Sequence, residues 1–390
     1  MAEGRHGRPD AAEARRDGMA AGDPGQFAHT PVMLGEVLAY LNPQPGEVIL
    51  DCTLGGGGHA EAVLDAIAPG GRLVGLDRDP TACAVALARL EGRAARQRVD
   101  MHVVQSDFSE LEERLDELGI DAVDGCLFDL GVSSHQLDNP ERGFSFRDDA
   151  PLDMRMNPGQ RTTAYHLVNG LSEDELADII RRFGEERWAR RIAQAIVRYR
   201  QQRGLLATTG ELVGVVKAAI PVPDAGGAHP ARRTFQALRI AVNNELGQLE
   251  AGLRAAVGRL RPGGRLVVIS FHSLEDRIAK RVLRELAKGC TCPPDWPVCR
   301  CGRQPELRPL VQRPVQATAR EAADNPRSRS AKLRAAKRLQ ADGPEPAEEE
   351  RSAGGTGGAA MGPPHYRGLP SVAETLYPHA RPVLHLGRGE

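Results

Sequence analysis

The chain has 390 residues, of which 41% are hydrophobic but only 4% aromatic, and its 51 lysines and arginines nearly balance 52 aspartates and glutamates. That length exceeds one small core and predicts two packed units or one domain with a large insertion. No apolar run approaches the roughly 20 residues that span a bilayer, and the first 25 residues are charged and Gly/Ala-rich with no apolar leader core, so a cytoplasmic protein with no membrane association is expected. The net charge of −1 hides an uneven distribution: residues 303–338 are strongly basic and residues 345–350 (EPAEEE) are acidic.

Residues 1–26 and 341–390 are rich in Gly, Ala, Pro and charge and are expected to be disordered tails. In chain order, residues 47–52 (EVILDC) read as a strand, 59–68 as a helix, 72–77 (RLVGLD) as a strand and 80–93 as a helix. Strands at 99–104 and 124–130 (DGCLFDL) follow, with a helix at 109–118 between them. This alternation marks a parallel sheet covered on both faces. From 172 to 219 the pattern is helical only. Ser172-Glu173-Asp174-Glu175 is a capping box, and residues 185–200 put Trp188, Ile192, Ala195, Ile196 and Tyr199 at helical spacing. A long amphipathic helix over 235–260, a turn at Pro262-Gly263-Gly264 and a strand over 265–271 restore the first pattern. The fold class is therefore α/β, interrupted by a helical insertion.

Two stretches suggest a site. The run from Asp129 to Met156 (DLGVSSHQLDNPERGFSFRDDAPLDMRM) leaves the carboxyl end of a strand, where ligands bind in open α/β sheets. It is too polar to read as core and too long to read as idle connection; the plainer reading is a loop in which Gly131, Gly143, Asn139-Pro140 and Pro151 make turns. Upstream, the first strand ends at Asp51 and runs through TLGGGGH (53–59) into a helix, so that backbone passes close to a ligand. Asp77 ends the next strand, about twenty residues on, where an acid meets ribose hydroxyls. The glycines fit neither a phosphate-binding Gly-Lys-Ser/Thr loop nor the dinucleotide spacing. S-adenosylmethionine, with ribose hydroxyls and no phosphate, fits, and Ser106-Asp107-Phe108 after the third strand offers a polar edge and an aromatic face for adenine.

HTPVML (29–34), DCTLGGGGH (51–59), GLDRDP (75–80), DLGVSSHQLD (129–138), RGFSF (142–146), LDMRM (152–156), RTFQALRIAVNNEL (233–246), FHSLEDR (271–277) and NPRSRSAKLR (325–334) occur in this order. Together they resemble the MraW family of ribosomal RNA small-subunit methyltransferases H, across about residues 29–338. The resemblance implies a class I, Rossmann-like methyltransferase domain at 27–135 and 231–340, with an inserted helical domain at 136–230 for substrate recognition. It implies S-adenosylmethionine as donor and, as acceptor, N4 of cytidine 1402 in the decoding region of 16S ribosomal RNA. The small ribosomal subunit or its RNA is then the partner, a homodimer being left open. Carried over by position, the donor site is Gly57, Gly58, His59, Asp77, Phe108, Asp129 and Gln136. Where the family often has Arg in the glycine turn, this chain has Gly55 and Gly56, so a looser turn is expected before the donor binds.

Transfer to an exocyclic amine requires in-line alignment and a proton acceptor, but no cysteine nucleophile; Cys126, inside a strand, reads as a buried structural thiol. Asp129 and the Ser133-Ser134 pair are the catalytic candidates, unless Asp129 only caps the loop and Ser133 only turns it. His272, with Phe271 stacking, is the candidate contact to a base taken out of its stack; as the plainer alternative it belongs to a helix cap. Arg232, Arg233 and Arg239 are expected to join Arg327, Arg329, Lys332, Arg334, Lys337 and Arg338 in neutralising phosphates. The intact donor pattern argues against a non-catalytic RNA-binding protein, and the basic stretch against a small-molecule methyltransferase; only the resemblance separates RNA from DNA.

Cys290, Cys292, Cys299 and Cys301 form a C-x-C-x6-C-x-C array outside the shared motifs. Four thiolates suit structural zinc, although C-x-C is tighter than the usual C-x2-C, and a cytosolic setting disfavours stable disulfides. Redox-labile or uninvolved thiols are the alternatives, and the spacing assigns no metal ligand.

Overall fold

The computed structural model describes residues 31–221, 229–290, 292–293 and 296–340. Both expected tails, and His29 of the first motif, lie outside the described residues. The sheet is built from β1 (Val48–Asp51), β2 (Arg72–Asp77), β3 (Asp100–Gln105), β4 (Val123–Asp129), β5 (Leu260–Ser270), β6 (Leu307–Pro309), β7 (Val315–Gln316) and β8 (Lys332–Arg338). Its order is β3-β2-β1-β4-β5-β8-β6, with β7 also pairing β8. The first five strands are parallel, and the strand order reverses between β1 and β4, which opens a crevice beyond their carboxyl ends.

Side chains alternate across these strands with the two-residue period of a pleated sheet. Ile49, Leu73, Leu127 and Val267 face one layer, formed by α1 (Leu34–Leu41), α2 (Gly58–Ile67) and α3 (Pro80–Gln97). Leu50, Val74, Phe128 and Val268 face the other, formed by α4 (Leu111–Glu117) and by two later helices, Glu245–Arg259 and Ser273–Ala287. Between β4 and β5 lie α5 (Ser134–Asp138), α6 (Ala164–Gly170), α7 (Glu173–Gly184), α8 (Ala189–Arg203), α9 (Thr209–Ala219), α10 (Arg232–Asn243) and α11 (Glu245–Arg259). Helices α6 to α10 close around a core of their own, with Leu176, Ile180, Ile192, Ile196, Leu212 and Leu238 at its centre. After β5 come α12 (Ser273–Ala287) and α13 (Ala319–Asp324). None of the described helices is long and apolar enough to cross a membrane.

Four expectations are corrected. The single helix predicted over 235–260 is two helices, because Asn244 adopts a left-handed conformation (φ 48°), which Asn tolerates better than most residues. The break lets α10 turn Phe235 and Leu238 into the insertion core while α11 turns Leu249 and Leu253 onto the sheet; one straight helix could not serve both. The turn expected at Pro262-Gly263-Gly264 lies within β5, and the register shift falls opposite it, between Val123 and Gly125. The sheet is mixed rather than purely parallel, since β8 runs antiparallel to β5 from Arg265↔Lys337 to Ser270↔Lys332. Finally, the polar run 129–156 does contribute core: Phe144, Leu152, Met154 and Met156 are buried in the insertion cluster.

Candidate active site

A cleft of about 1370 Å³ opens beyond the carboxyl ends of the parallel strands, bordered by the glycine turn, Asp77, Ser106 to Phe108, Asp129 to Ser133, His135 to Asp138, Phe146, Phe235, Phe271 and His272. The glycines divide into two pairs. A Cβ on Gly57 would lie 2.9 Å from Leu90 Cδ1 and one on Gly58 2.8 Å from Pro31 Cγ, so these two are glycine because the fold packs tightly against them. Gly57, expected in the donor site, lies within the turn behind the cleft wall, and its N–H donates to Leu54 O (2.9 Å). Gly55 and Gly56 do border it, with no atom closer than 3.9 Å to their missing side chains. The turn expected to be loose is braced, Gly55 N donating to Asp77 Oδ2 at 2.8 Å and Leu54 N to Leu76 O at 2.9 Å.

Three acids stand at the strand ends, and burial raises all of them. It lifts Asp51 to about 6 against the pull of His59, and Asp77 to about 6 against the hydrogen bonds from Asp79 N and Gly55 N. Asp129 is pushed up to about 7 by burial, with the Glu275 carboxylate adding to the shift. The Asp129 carboxyl has two distinct oxygens. Oδ2 lies 3.5 Å from His59 Nδ1, whereas Oδ1 is buried and has no hydrogen-bond partner. His59 Nε2 is 2.9 Å from Val32 O, and because a carbonyl only accepts, Nε2 carries the proton. Burial lowers the His59 pKa, so the ring is neutral and Nδ1 is an acceptor facing Asp129. The cleft therefore contains a carboxyl that changes protonation near neutral pH, backed by a base and with one buried oxygen left without a partner.

The far wall is held by side chains. Asp79 is fully buried. It caps α3 through Thr81 N (3.1 Å) and accepts from Gln136 Nε2 (3.0 Å) and Arg142 Nη1 (2.8 Å). The other Arg142 nitrogen, Nη2, donates to Arg155 O and Met156 O, both at 2.9 Å. Asn243 continues the chain of contacts: its amide takes Met156 N (2.7 Å) and donates to Met154 O (2.7 Å), while its carbonyl receives Arg78 Nη1 (2.9 Å). Phe146 stacks on His229 with ring centres 4.5 Å apart and meets Phe235 edge-on at 5.7 Å, giving an aromatic surface beside the cleft. Phe108 meets Phe128 edge-on at 5.6 Å on the opposite side.

The remaining candidates fall into place unevenly. Ser133 and Gln136 form a reciprocal cap on α5, Ser133 N donating to Gln136 Oε1 (3.0 Å) and Gln136 N to Ser133 Oγ (3.3 Å). His272 is likewise the N-cap of α12, where its Nδ1 accepts from Glu275 N (3.3 Å) and its Nε2 lies 3.1 Å from Glu275 Oε1. Ser133 thus caps a helix rather than only turning the loop, and His272 occupies the helix cap given as its alternative while still bordering the cleft. Cys126 is fully buried, and burial pushes its thiol up, as expected of a structural residue. Among the arginines, Arg232 is exposed at the rim, Arg233 lies 3.9 Å from Glu186, and Arg327 pairs with Asp138 at 3.1 Å. Arg329 donates to Ala322 O (3.1 Å), and Lys332 lies 3.6 Å from Asp276.

Two of the expected phosphate contacts are corrected. Arg239 is gripped by Glu245 through two 2.8 Å bonds, and Arg334, 8% exposed, is paired with Asp276 at 2.8 Å. Both guanidiniums are held by carboxylates, Arg239 at the wall of the cleft and Arg334 inside the fold. Asp79, Arg142, Phe146 and Asn243 lie in the quoted motifs, but the Asp79–Arg142 and Asn243–Met156 contacts and the Phe146–His229 stack escaped the sequence reading. The Asp-Arg-Asp-Pro signature marks Asp79 as a helix cap, but nothing local announces its distant partners.

A family model, the MraW methylase family, matches residues 26–339. The chain is 58% identical over 318 residues to "Ribosomal RNA small subunit methyltransferase H" of Geobacter sulfurreducens, covering 80% of this chain and 99% of that one. It is 54% identical over 316 residues to the protein of the same name from Symbiobacterium thermophilum, covering 81% and 98%. A solved structure of an rRNA methylase from Streptococcus thermophilus aligns over 79% of this chain and 92% of that one, at 9% identity and a TM-score of 0.34.

Proposed function

The chain belongs to the MraW methylase family, and we propose that it methylates N4 of cytidine 1402 of 16S ribosomal RNA by direct transfer to the exocyclic amine. It is an S-adenosylmethionine-dependent ribosomal RNA methyltransferase of the small subunit. The cleft suits that donor. It offers acids and an aromatic ring rather than a phosphate-binding lysine, backbone at Gly55 and Gly56 that a ligand can approach, and an orphaned carboxyl oxygen. Asp77 would hold the ribose, Phe108 the adenine, and Gly55, Gly56 and Gly58 the backbone side of the donor, with His59 and Gln136 supporting it. When bound, the donor supplies an activated sulfonium methyl.

The observation that carries the reading is Asp129 Oδ1, buried and without a partner, on a residue that borders the cleft. An amine N–H directed at this oxygen would satisfy it, fix the nitrogen for in-line attack and give the departing proton a place to go. Oδ2 faces the accepting Nδ1 of His59, so a proton gained by Asp129 is stabilised there. Ser133 and His272 act as positioning residues, because each holds a helix start beside the cleft. The body at 27–135 and 231–340 would supply the donor site, while the insertion at 136–230, with the Phe146 face, receives the RNA. Arg232, Arg233, Arg327, Arg329 and Lys332 would contact phosphates, with the small subunit of the cytoplasmic ribosome as partner.

The test is to map methylated cytidines in small-subunit RNA from cells with and without this chain. Loss of N4-methylation at cytidine 1402 alone is expected. An unchanged modification at that position, or a loss at another one, would overturn the assignment.

A further inference from the structure

The segment joining α12 to β6 has a base but no interior. Glu306 N donates to Leu286 O at 2.8 Å, closing the loop at its root, and a Cβ on Gly289 would lie 2.9 Å from Pro305 Cδ, so the two strands of the loop touch there. Between them, no described residue from 288 to 305 is buried. Trp296 is 47% and Val298 68% exposed, and the one ring contact is Arg300 over Trp296 at 5.6 Å. A loop of this length without apolar burial has little to offset the entropy of ordering it.

The same loop gathers four sulfurs. The Sγ atoms of Cys290, Cys292, Cys299 and Cys301 all lie within 4.8 Å of one another, with Cys299 and Cys301 at 3.5 Å and Cys301 and Cys290 at 3.8 Å. A disulfide needs sulfurs about 2.05 Å apart, and none of the four is bridged. Four thiolates around one tetrahedral ion, each at about 2.3 Å, stand about 3.8 Å apart. Two backbone amides already point at sulfur, Cys292 N at Cys290 Sγ and Arg300 N at Cys292 Sγ, both 3.4 Å. Donors so placed favour a charged thiolate over a neutral thiol.

We propose that these four cysteines bind one structural zinc ion, which serves as the interior that the loop lacks. Zinc is favoured over other ions by the all-sulfur, closed tetrahedral donor set, while a multi-iron cluster would spread the thiolates wider. The site lies beyond the far end of the fifteen-residue helix that His272 caps, about 20 Å along its axis. It therefore takes no part in methyl transfer and stabilises the edge of the sheet at β6.

The full chain, purified without chelator, should contain one zinc per molecule by mass spectrometry of the metals. Exchange with cobalt should give the intense sulfur-to-metal absorption and visible bands of a tetrahedral thiolate site. Chelation should expose four additional reactive thiols, protected again by stoichiometric zinc. A Cys299→Ser/Cys301→Ser variant should lose at least nine-tenths of the metal while keeping S-adenosylmethionine affinity, which reports a folded body. A wild-type chain that is metal-free and takes up no zinc from a micromolar-buffered solution would overturn the proposal. So would a single iron in place of zinc, or disulfides among these cysteines in protein taken from reducing cytosol.

Discussion

The two walls of the cleft are built on different principles. The donor wall is made by strand ends and a turn, and its contacts are backbone donors meeting the end of the adjacent strand, Gly55 N on the Asp77 carboxylate and Leu54 N on Leu76 O. The acceptor wall is made by a long excursion of chain, held through a few buried side chains, Asp79, Arg142 and Asn243, that reach across the fold. The first wall follows from the sheet. The second exists only while its polar side chains remain paired in a low-dielectric interior, where an unmade bond is costly. The walls should therefore fail differently when mutated.

The largest effect is expected on the donor side at Asp129. Asp129→Asn removes the proton acceptor but keeps the shape, and turnover should fall on the order of 10³-fold with S-adenosylmethionine affinity within a few-fold, measured by single-turnover kinetics and calorimetry. In the parent, single-turnover rate should rise with pH through about 7 as Asp129 ionises. The same group has the opposite effect on stability. Its folded pKa lies above its unfolded value, so the folded chain holds a proton that the unfolded chain has released, and stability falls as pH rises from about 4 to about 7. Asp129→Asn should accordingly melt higher than the parent at pH 8 but not at pH 4. A flat rate profile together with full turnover in the variant would place the proton acceptor elsewhere.

Asp79→Ala, on the acceptor side, leaves Gln136 and Arg142 without their buried partner. The loss should be about 3 kcal/mol in urea unfolding, since breaking a buried charge pair strands the other charge. A loss below about 1 kcal/mol would mean that this wall is not held as described. Phe146→Ala should raise KM for the RNA about tenfold, the scale of one lost stacking contact, while leaving donor affinity unchanged. Smallest is Arg232→Ala at the rim, expected to raise KM a few-fold and reduce the slope of log KM against log salt by about 1. By contrast Arg334→Ala should act on stability rather than on salt dependence, because its partner is Asp276 and not solvent.

Much of the donor wall is legible in the sequence. A short apolar run ending in an acid and leading into a helix points to Asp51, Asp77 and Asp129 through local patterning alone, with the glycine run following only Asp51. The same patterning misleads where a residue type has two uses. KLRAAKR reads as a basic surface, yet it forms β8 inside the sheet with Leu333, Ala335 and Ala336 buried. Removing the chain from residue 325 onward would delete a strand, so it cannot serve as a clean test of RNA contacts.

What the sequence determines by itself is therefore the order of the first four strands and their helices, the strand-end acids, the capping box at Ser172 and the cysteine array. Each depends on periodicity or on neighbours a few residues away. Only the tertiary structure decides that Gly57 and Gly58 are packed against Leu90 and Pro31 while Gly55 and Gly56 are not, that Arg239 and Arg334 are held by carboxylates, and that Asp129 keeps one oxygen without a partner. These outcomes are set by which side chains meet across the packed layers, and by how far burial makes each polar group depend on its partner.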